Sequence, residues 1–184
     1  MARTGASTAP GFLFEDRTVT ISLRDARSSQ EDRSWIAKVF RDYIDDLDPM
    51  STGIFPVLGE VGHREPDQMA RWFSDPNAFP LVIAQAQQPV GFAMVARAHG
   101  PGTAYRMGEF FIARGYRGLG LGRGAVQLIL DRFAGRWEIT EYQRNPIAVK
   151  FWRQVVTRYT EGRFEERVFN GEVRQTFESG PRRR

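Results

Sequence analysis

The 184-residue chain contains no cysteine. Disulfides, thiolate metal sites and cysteine nucleophiles are therefore excluded. Histidine is nearly absent too, with only His63 and His99, so a multi-histidine metal centre cannot form. No stretch supplies the roughly 20 apolar residues of a bilayer-spanning helix. Residues 1–11 lack the apolar run of a secretory signal. These absences predict a cytoplasmic protein with no membrane partner and no metal. Concentrated positive charge is also missing. The net charge is +4, but Arg182, Arg183 and Arg184 end the chain, and without them the body stands at +1. Elsewhere arginines and carboxylates interleave, so no nucleic-acid-binding stripe is legible.

What remains is ordinary globular composition, 41% hydrophobic and 26% charged, at a length that suits one core. The predicted organisation is a loose lead-in over 1–16, one domain over 17–178 and a basic tail over 179–184. Alternation over 18–23 predicts a strand. Ser28 and Glu31 have the spacing of a capping box. The helix they open carries an apolar stripe of Trp35, Ile36, Val39, Phe40, Tyr43, Ile44 and Leu47. Asp48-Pro49 stops it, and a Gly/Pro-rich loop over 50–65 follows, of the kind that often binds ligands. A short helix over 66–73 leads to a hairpin of strands over 81–86 and 90–97, turning at Gln87-Gln88-Pro89. A third strand spans 104–113. A Gly-rich turn, an amphipathic helix through Val126 to Phe133, a strand over 137–142 and a helix opened by Pro146 come next. A terminal hairpin turns at Asn170-Gly171. The predicted fold is α+β, with a mostly antiparallel twisted sheet flanked by helices.

Chemistry concentrates at Arg117-Gly118-Leu119-Gly120-Leu121-Gly122, between a strand and a helix. Three readings are open from spacing alone. The turn can simply let the helix pack close to the sheet. It can form an anion cradle from turn amides and the helix N-terminus, bracketed by Arg117 and Arg123. Or, with Glu141 about 20 residues beyond, it can imitate a dinucleotide site, although the segment order lacks repeated parallel units. No Gly-Lys-Ser/Thr follows, so it is not a Walker A loop.

The turn resembles the Gln/Arg-x-x-Gly-x-Gly/Ala signature of the GCN5-related N-acetyltransferase (GNAT) superfamily. A second family feature, Asn145-Pro146-Ile147-Ala148-Val149-Lys150-Phe151-Trp152, follows at the family's distance. The resemblance spans residues 18–177 and implies a GNAT-like fold, splayed around the strand ending near Ala113. It implies acetyl-CoA or another short acyl-CoA as co-substrate, and transfer of the acyl group to a primary amine by direct attack in a ternary complex. Amides of Gly118, Leu119, Gly120, Leu121, Gly122 and Arg123 would hold the pyrophosphate. Main-chain groups of Phe111, Ile112 and Ala113 would bind the pantetheine arm, with Asn145, Phe151 and Trp152 beside it. The acceptor would be a small-molecule amine or a protein amine.

Acyl transfer to an amine gains from a general base. Glu109, within the apolar run Met107-Gly108-Glu109-Phe110-Phe111, is the first candidate, unless Arg97 or Arg114 pairs with it structurally. Glu141 is the alternative. The family commonly offers a Tyr after the Phe of the second motif as general acid; this chain has Trp152, whose indole cannot donate in that role. Tyr142 and Tyr116 are the available phenols. Trp35, Tyr43, Phe55 and His63 are acceptor-site candidates, and Asp42, Asp45, Asp46 and Asp48 form an acidic patch suited to an amine. A non-catalytic acyl-CoA-binding module is the alternative function. The strands around Phe169 and Phe177 either complete the core or pair across a homodimer.

Overall fold

The computed structural model describes residues 20–47, 65–98 and 102–180. The predicted loop over 50–65 thus falls almost wholly outside the described residues, as do Phe55, His63, His99, Asp48 and the Arg182–Arg184 tail. Seven strands form one sheet in the order β1-β2-β3-β4-β5-β7-β6. They are β1 (Ile21–Asp25), β2 (Ala78–Gln85), β3 (Gln88–Arg97), β4 (Tyr105–Ile112), β5 (Gly135–Tyr142), β6 (Glu165–Phe169) and β7 (Glu172–Ser179). The helices are α1 (Gln30–Leu47), α2 (Glu65–Ser74), α3 (Leu121–Arg132) and α4 (Pro146–Thr160). The α+β reading of the sequence is the observed fold.

Local chemistry sets the boundaries. Ser28 ends a short 3-10 turn capped by Asp25, so the expected Ser28/Glu31 box shifts by one residue. Ser29 Oγ instead accepts from the amide of Asp32 at 3.2 Å. The β2–β3 turn sits at Ala86-Gln87, both with positive φ (45° and 72°), as a two-residue hairpin requires. It therefore precedes the expected Gln87-Gln88-Pro89 position, and β3 begins at Gln88. Asn170-Gly171 makes the β6–β7 turn with the same backbone sign.

Each face of the sheet is covered by two helices. Leu121, Val126, Ile129 and Leu130 of α3 and Trp152, Val155 and Val156 of α4 bury against Leu81, Ile83, Trp137 and Ile139. On the other face, Ile36 and Phe40 of α1 and Trp72 of α2 bury against Val82, Phe92, Met94 and Phe111. Each large apolar side chain so buried stabilises by about 1.5–3 kcal/mol in transfer terms. Phe177 is core, at 5% exposure, whereas Phe169 on the edge strand β6 is 74% exposed. The two phenylalanines thus do different things.

The feature that positions the site is the joint between β4 and β5. These two strands are parallel, while every other neighbouring pair is antiparallel. They share only two rungs, Tyr105↔Trp137 and Arg106↔Glu138. Beyond those rungs β4 runs on to Ile112 and β5 to Tyr142 without pairing to each other. A gap opens inside the sheet.

Candidate active site

Two devices aim side chains at this gap. The first is a bulge. Met94 pairs with Glu109 and the next β3 residue, Val95, with Met107, so Gly108 is the extra residue of β4. Side chains alternate along a strand. Met107 packs with the α3/α4 face, and without the bulge Glu109 would join it there. The inserted Gly108 moves Glu109 and Phe111 to the α1/α2 face and leaves Phe110 and Ile112 on the other. Gly108 has no substitute, because a Cβ there would collide with the Trp72 ring.

The second device is α1. Tyr43 reaches from its apolar stripe and donates its hydroxyl to Glu109 Oε2. Glu109 is 2% exposed, and this partner is neither of the arginines expected from the sequence. Arg97 lies over the Phe79 and Tyr105 rings, and Arg114 pairs with Asp46 at 2.6 Å. Burial first, then the Glu109 charge, pushes the Tyr43 phenol well above its usual value, so Tyr43 stays a donor. Burial, followed by repulsion from Glu109, raises the half-buried Glu141 carboxyl to about 8. Tyr142 is raised as well, by burial first and then by Glu172. The Glu109 and Glu141 charges act on both phenols. From the sequence, Glu109, Glu141, Tyr142 and Tyr43 had three different roles. The fold brings them into one cluster.

Tyr142 also lines a cleft of about 460 Å³ with Arg144, Asn170, Gly171 and Glu172. The Arg144 guanidinium lies 5.3 Å from the Tyr142 ring centre. Of the other expected acceptor-site residues within the described chain, Trp35 is half-buried against the α1/α2 core rather than in this cluster. Tyr116 stands apart, exposed in the 3-10 turn Arg114–Tyr116.

On the other side of the gap lies the glycine turn. Gly118 and Gly120 adopt φ of 78° and 79°, and a Cβ on either would meet nothing within 4 Å. They are glycine for the left-handed backbone, not for close packing. Gly120 is the N-cap of α3 and brings no side-chain acceptor. The first-turn amides of α3 are thus left for an anion. Arg123 stands exposed in that turn, and Leu119 is exposed beside it. Leu121 is core, at 1% exposure, so only its main chain can serve a ligand.

Arg117 does not bracket the cradle. It pairs with Asp46, donates from Nε to the Ile112 carbonyl at 2.7 Å, and lies 5.3 Å from the Phe111 ring centre. Asp46 is correspondingly committed. Burial alone would raise its carboxyl, but hydrogen bonds from Arg117 and Arg114 outweigh this and hold it below its usual value. The acidic patch on α1 therefore spends Asp46 on binding the turn to the helix.

Of Phe111, Ile112 and Ala113, only Ile112 turns its main chain to the gap. The Ala113 amide donates to the Val90 carbonyl at 2.9 Å, and antiparallel alternation gives Phe111 to β3 as well. Asn145 caps α4, its side chain accepting from the Ala148 amide at 3.0 Å, with Pro146 in the first turn. Phe151 stacks on Phe110, centroids 5.7 Å apart and planes at 20°, and a Cβ on Gly122 would lie 3.4 Å from its ring. Trp152 lies beneath them at 4% exposure, edge-on to Phe110 and Phe151. Its side chain is core, because the helical period turns it inward. Among the described residues no cluster of His, Cys, Asp or Glu could hold a metal, and no helix is long and apolar enough to cross a membrane.

The sheet is thus parted at its one parallel joint, with an uncapped helix N-terminus on one side and a buried carboxylate on the other. The model of the acetyltransferase (GNAT) family matches residues 24–155. The chain belongs to that family. Among solved structures it is similar to an acetyltransferase from Thermus thermophilus, with 18% identity, TM-score 0.59, and 87% of this chain and 97% of that one covered. It is also similar to a chimera of spermidine N-acetyltransferase SpeG from Vibrio cholerae and hSSAT (15% identity, TM-score 0.55, 85% and 93% covered). A third is the N-acetyltransferase PseH of Campylobacter jejuni (12%, 0.54, 86% and 97%). At these identities the likeness is one of fold. No curated protein sequence matches the chain significantly.

Proposed function

We propose that this protein transfers an acetyl or other short acyl group from coenzyme A to a primary amine, by direct attack within a ternary complex. The observation that carries the reading is the buried Glu109, held by Tyr43 at the edge of the β4–β5 gap and facing the α1/α2 side. The α3 N-terminus and the turn from Gly118 to Arg123 would take the donor's pyrophosphate, since their amides have no side-chain cap. Ile112 would offer its main chain to the pantetheine amides, after Arg117 leaves its carbonyl. Asn145, with its carboxamide oxygen spent on the helix cap, would use its NH2 group. The Phe110–Phe151 stack would bear on the pantetheine arm.

The coenzyme supplies the acyl group as an activated thioester. The protein removes a proton from the acceptor. An amine must lose a proton to form an amide, and a carboxylate in a water-poor site is matched to receive it. Tyr43 holds Glu109 in place through Oε2. The cleft bordered by Tyr142, Arg144 and Glu172 is the proposed acceptor entry.

The test is thiol release from acetyl-CoA, measured against a panel of amines ranging from amino acids and polyamines to lysine peptides. Release that depends on one class of amine is the expected result. Tight CoA binding with no release by any amine would instead identify a non-catalytic acyl-CoA-binding module.

A further inference from the structure

We propose that Glu141 is the general acid of this transfer, its carboxyl giving a proton to the sulfur as the thioester C–S bond breaks. The proposal rests on the acyl-transfer reading above and fills a vacancy in it. The residue that follows Phe151 is Trp152, an indole buried in the core at 4% exposure, so no phenol is available from that position.

Register places Glu141 for the role. The last rung between the two parallel strands is Arg106↔Glu138. Glu109 lies three residues past it on β4, and Glu141 three residues past it on β5. At about 3.3 Å per residue both stand roughly 10 Å into the gap, one on each bank. Their faces differ. The bulge at Gly108 gives Glu109 to the α1/α2 side with Tyr43. Glu141 continues the alternation of Trp137 and Ile139, the residues that β5 buries beneath α3 and α4. That is the side of the α3 N-terminus, Asn145 and Phe151, where the donor would lie. One carboxylate thus faces the acceptor side and the other the donor side.

The surroundings keep a proton on Glu141. It makes no side-chain hydrogen bond or ion pair among the described residues, in contrast to Glu109. The groups around it are Glu109 on β4, Tyr43 on α1 and Tyr142 on its own strand. On β7 its rung is Val173, flanked by Glu172 and Arg174, which lie 3.8 Å apart. The first turn of α4 is Pro146, Ile147, Ala148 and Val149, and contributes no charge. Burial and the Glu109 carboxylate raise the Glu141 carboxyl to about 8. This is close to the ~8.5 of an alkyl thiol, the match that proton transfer to a leaving thiolate favours.

The protons balance. The amine nitrogen bonds to the acyl carbon and gives one proton to Glu109, while the sulfur leaves with the proton of Glu141. Glu109 then gives its proton to solvent and Glu141 takes one from solvent, which restores the starting state. Two carboxylates that repel each other hold one proton between them more readily than none or two.

The decisive comparison is wild type against Glu141→Gln, which keeps the size and neutrality of the protonated carboxyl. Infrared difference spectra at neutral pH, without any ligand, should show a protonated-carboxyl band in wild type that the variant lacks. With acetyl-CoA and an accepted amine, E141Q should lose about 10²-fold in kcat, keep its CoA affinity, and lose the alkaline fall in the wild-type pH–rate profile. No infrared band, an undiminished kcat, or an alkaline limb that survives in the variant would each overturn the assignment. A wild type that releases no thiol with any amine would overturn the acyl-transfer reading and this proposal together. An active wild type with an equally active E141Q overturns only the proposal.

Discussion

The two banks of the gap are built on different principles. The bank proposed for the donor is local. Its elements run from Ile112 through the glycine turn into α3, and it works through main-chain amides and the left-handed φ of Gly118 and Gly120. The bank proposed for the acceptor is assembled from afar: Tyr43 and Glu109 are separated by 66 residues. Main-chain sites tolerate side-chain variation but not a change in backbone conformation. Side-chain clusters tolerate the reverse. Substitutions on the two banks should therefore fail in different ways.

The largest expected effect is on chemistry at the acceptor bank. Glu109→Gln should lower kcat by about 10²- to 10⁴-fold with CoA affinity retained, and the deficit should shrink as pH rises and free amine accumulates. Steady-state kinetics across pH with independent CoA titrations would check this. A deficit that does not change with pH would separate Glu109 from proton removal.

Next in size is Gly120→Val on the donor bank. A β-branched residue at φ 79° carries about 1–3 kcal/mol of backbone strain. Relief of that strain would swing the α3 amides away from the anion, weakening CoA binding about 5- to 150-fold by the same energy. Calorimetric titration would measure it, and unaltered affinity would remove the turn from the donor site.

Tyr43→Phe should cost stability rather than fold. It strips the buried Glu109 of the Tyr43 hydrogen bond, worth about 1.5–3 kcal/mol for a hydrogen bond to a charged group, visible as a lower urea midpoint. A midpoint equal to wild type would show that water replaces the phenol.

Glu141 gives a pH signature. Its folded-state value, about 8, lies above the ordinary 4.5, so between these values the folded chain binds more protons than the unfolded one. The contribution is full below pH 4.5 and is lost as pH rises through 8. Denaturation midpoints of E141Q should therefore hold up better than wild type toward alkaline pH. Parallel pH dependences in the two proteins would contradict the assigned burial. The smallest effect belongs to Asp46→Asn, which frees Arg114 and Arg117. Because those partners are exposed, the loss should be no more than about 1 kcal/mol, read as a slight drop in Tm.

The GNAT resemblance was legible because its motifs are contiguous and the glycines do their work on their own backbone. Glu109 was legible as a carboxylate inside an apolar strand, though its partner was not. Tyr43 lies on an apolar helical stripe, where a buried phenol looks like any other core aromatic. Gly108, immediately before Glu109, was the available sign of a bulge, but its meaning depends on where Met94 and Val95 fall on the neighbouring strand. Trp152, expected beside the pantetheine arm, has its side chain buried in the core, while Leu121 keeps only the main-chain role expected of it. Motif position names a residue, while burial decides whether its side chain reaches a ligand.

By itself the sequence determined the order of elements and the glycine turn that opens α3, since these follow from short-range sterics and hydrogen bonding. Only the tertiary structure decided that the sheet parts after Arg106↔Glu138 and that Glu109 and Glu141 face opposite sides of the opening. It also decided that a phenol from the first helix holds one of them. Strand register and bulge position come from pairing between distant segments, and one extra residue on one strand reverses which way a carboxylate points.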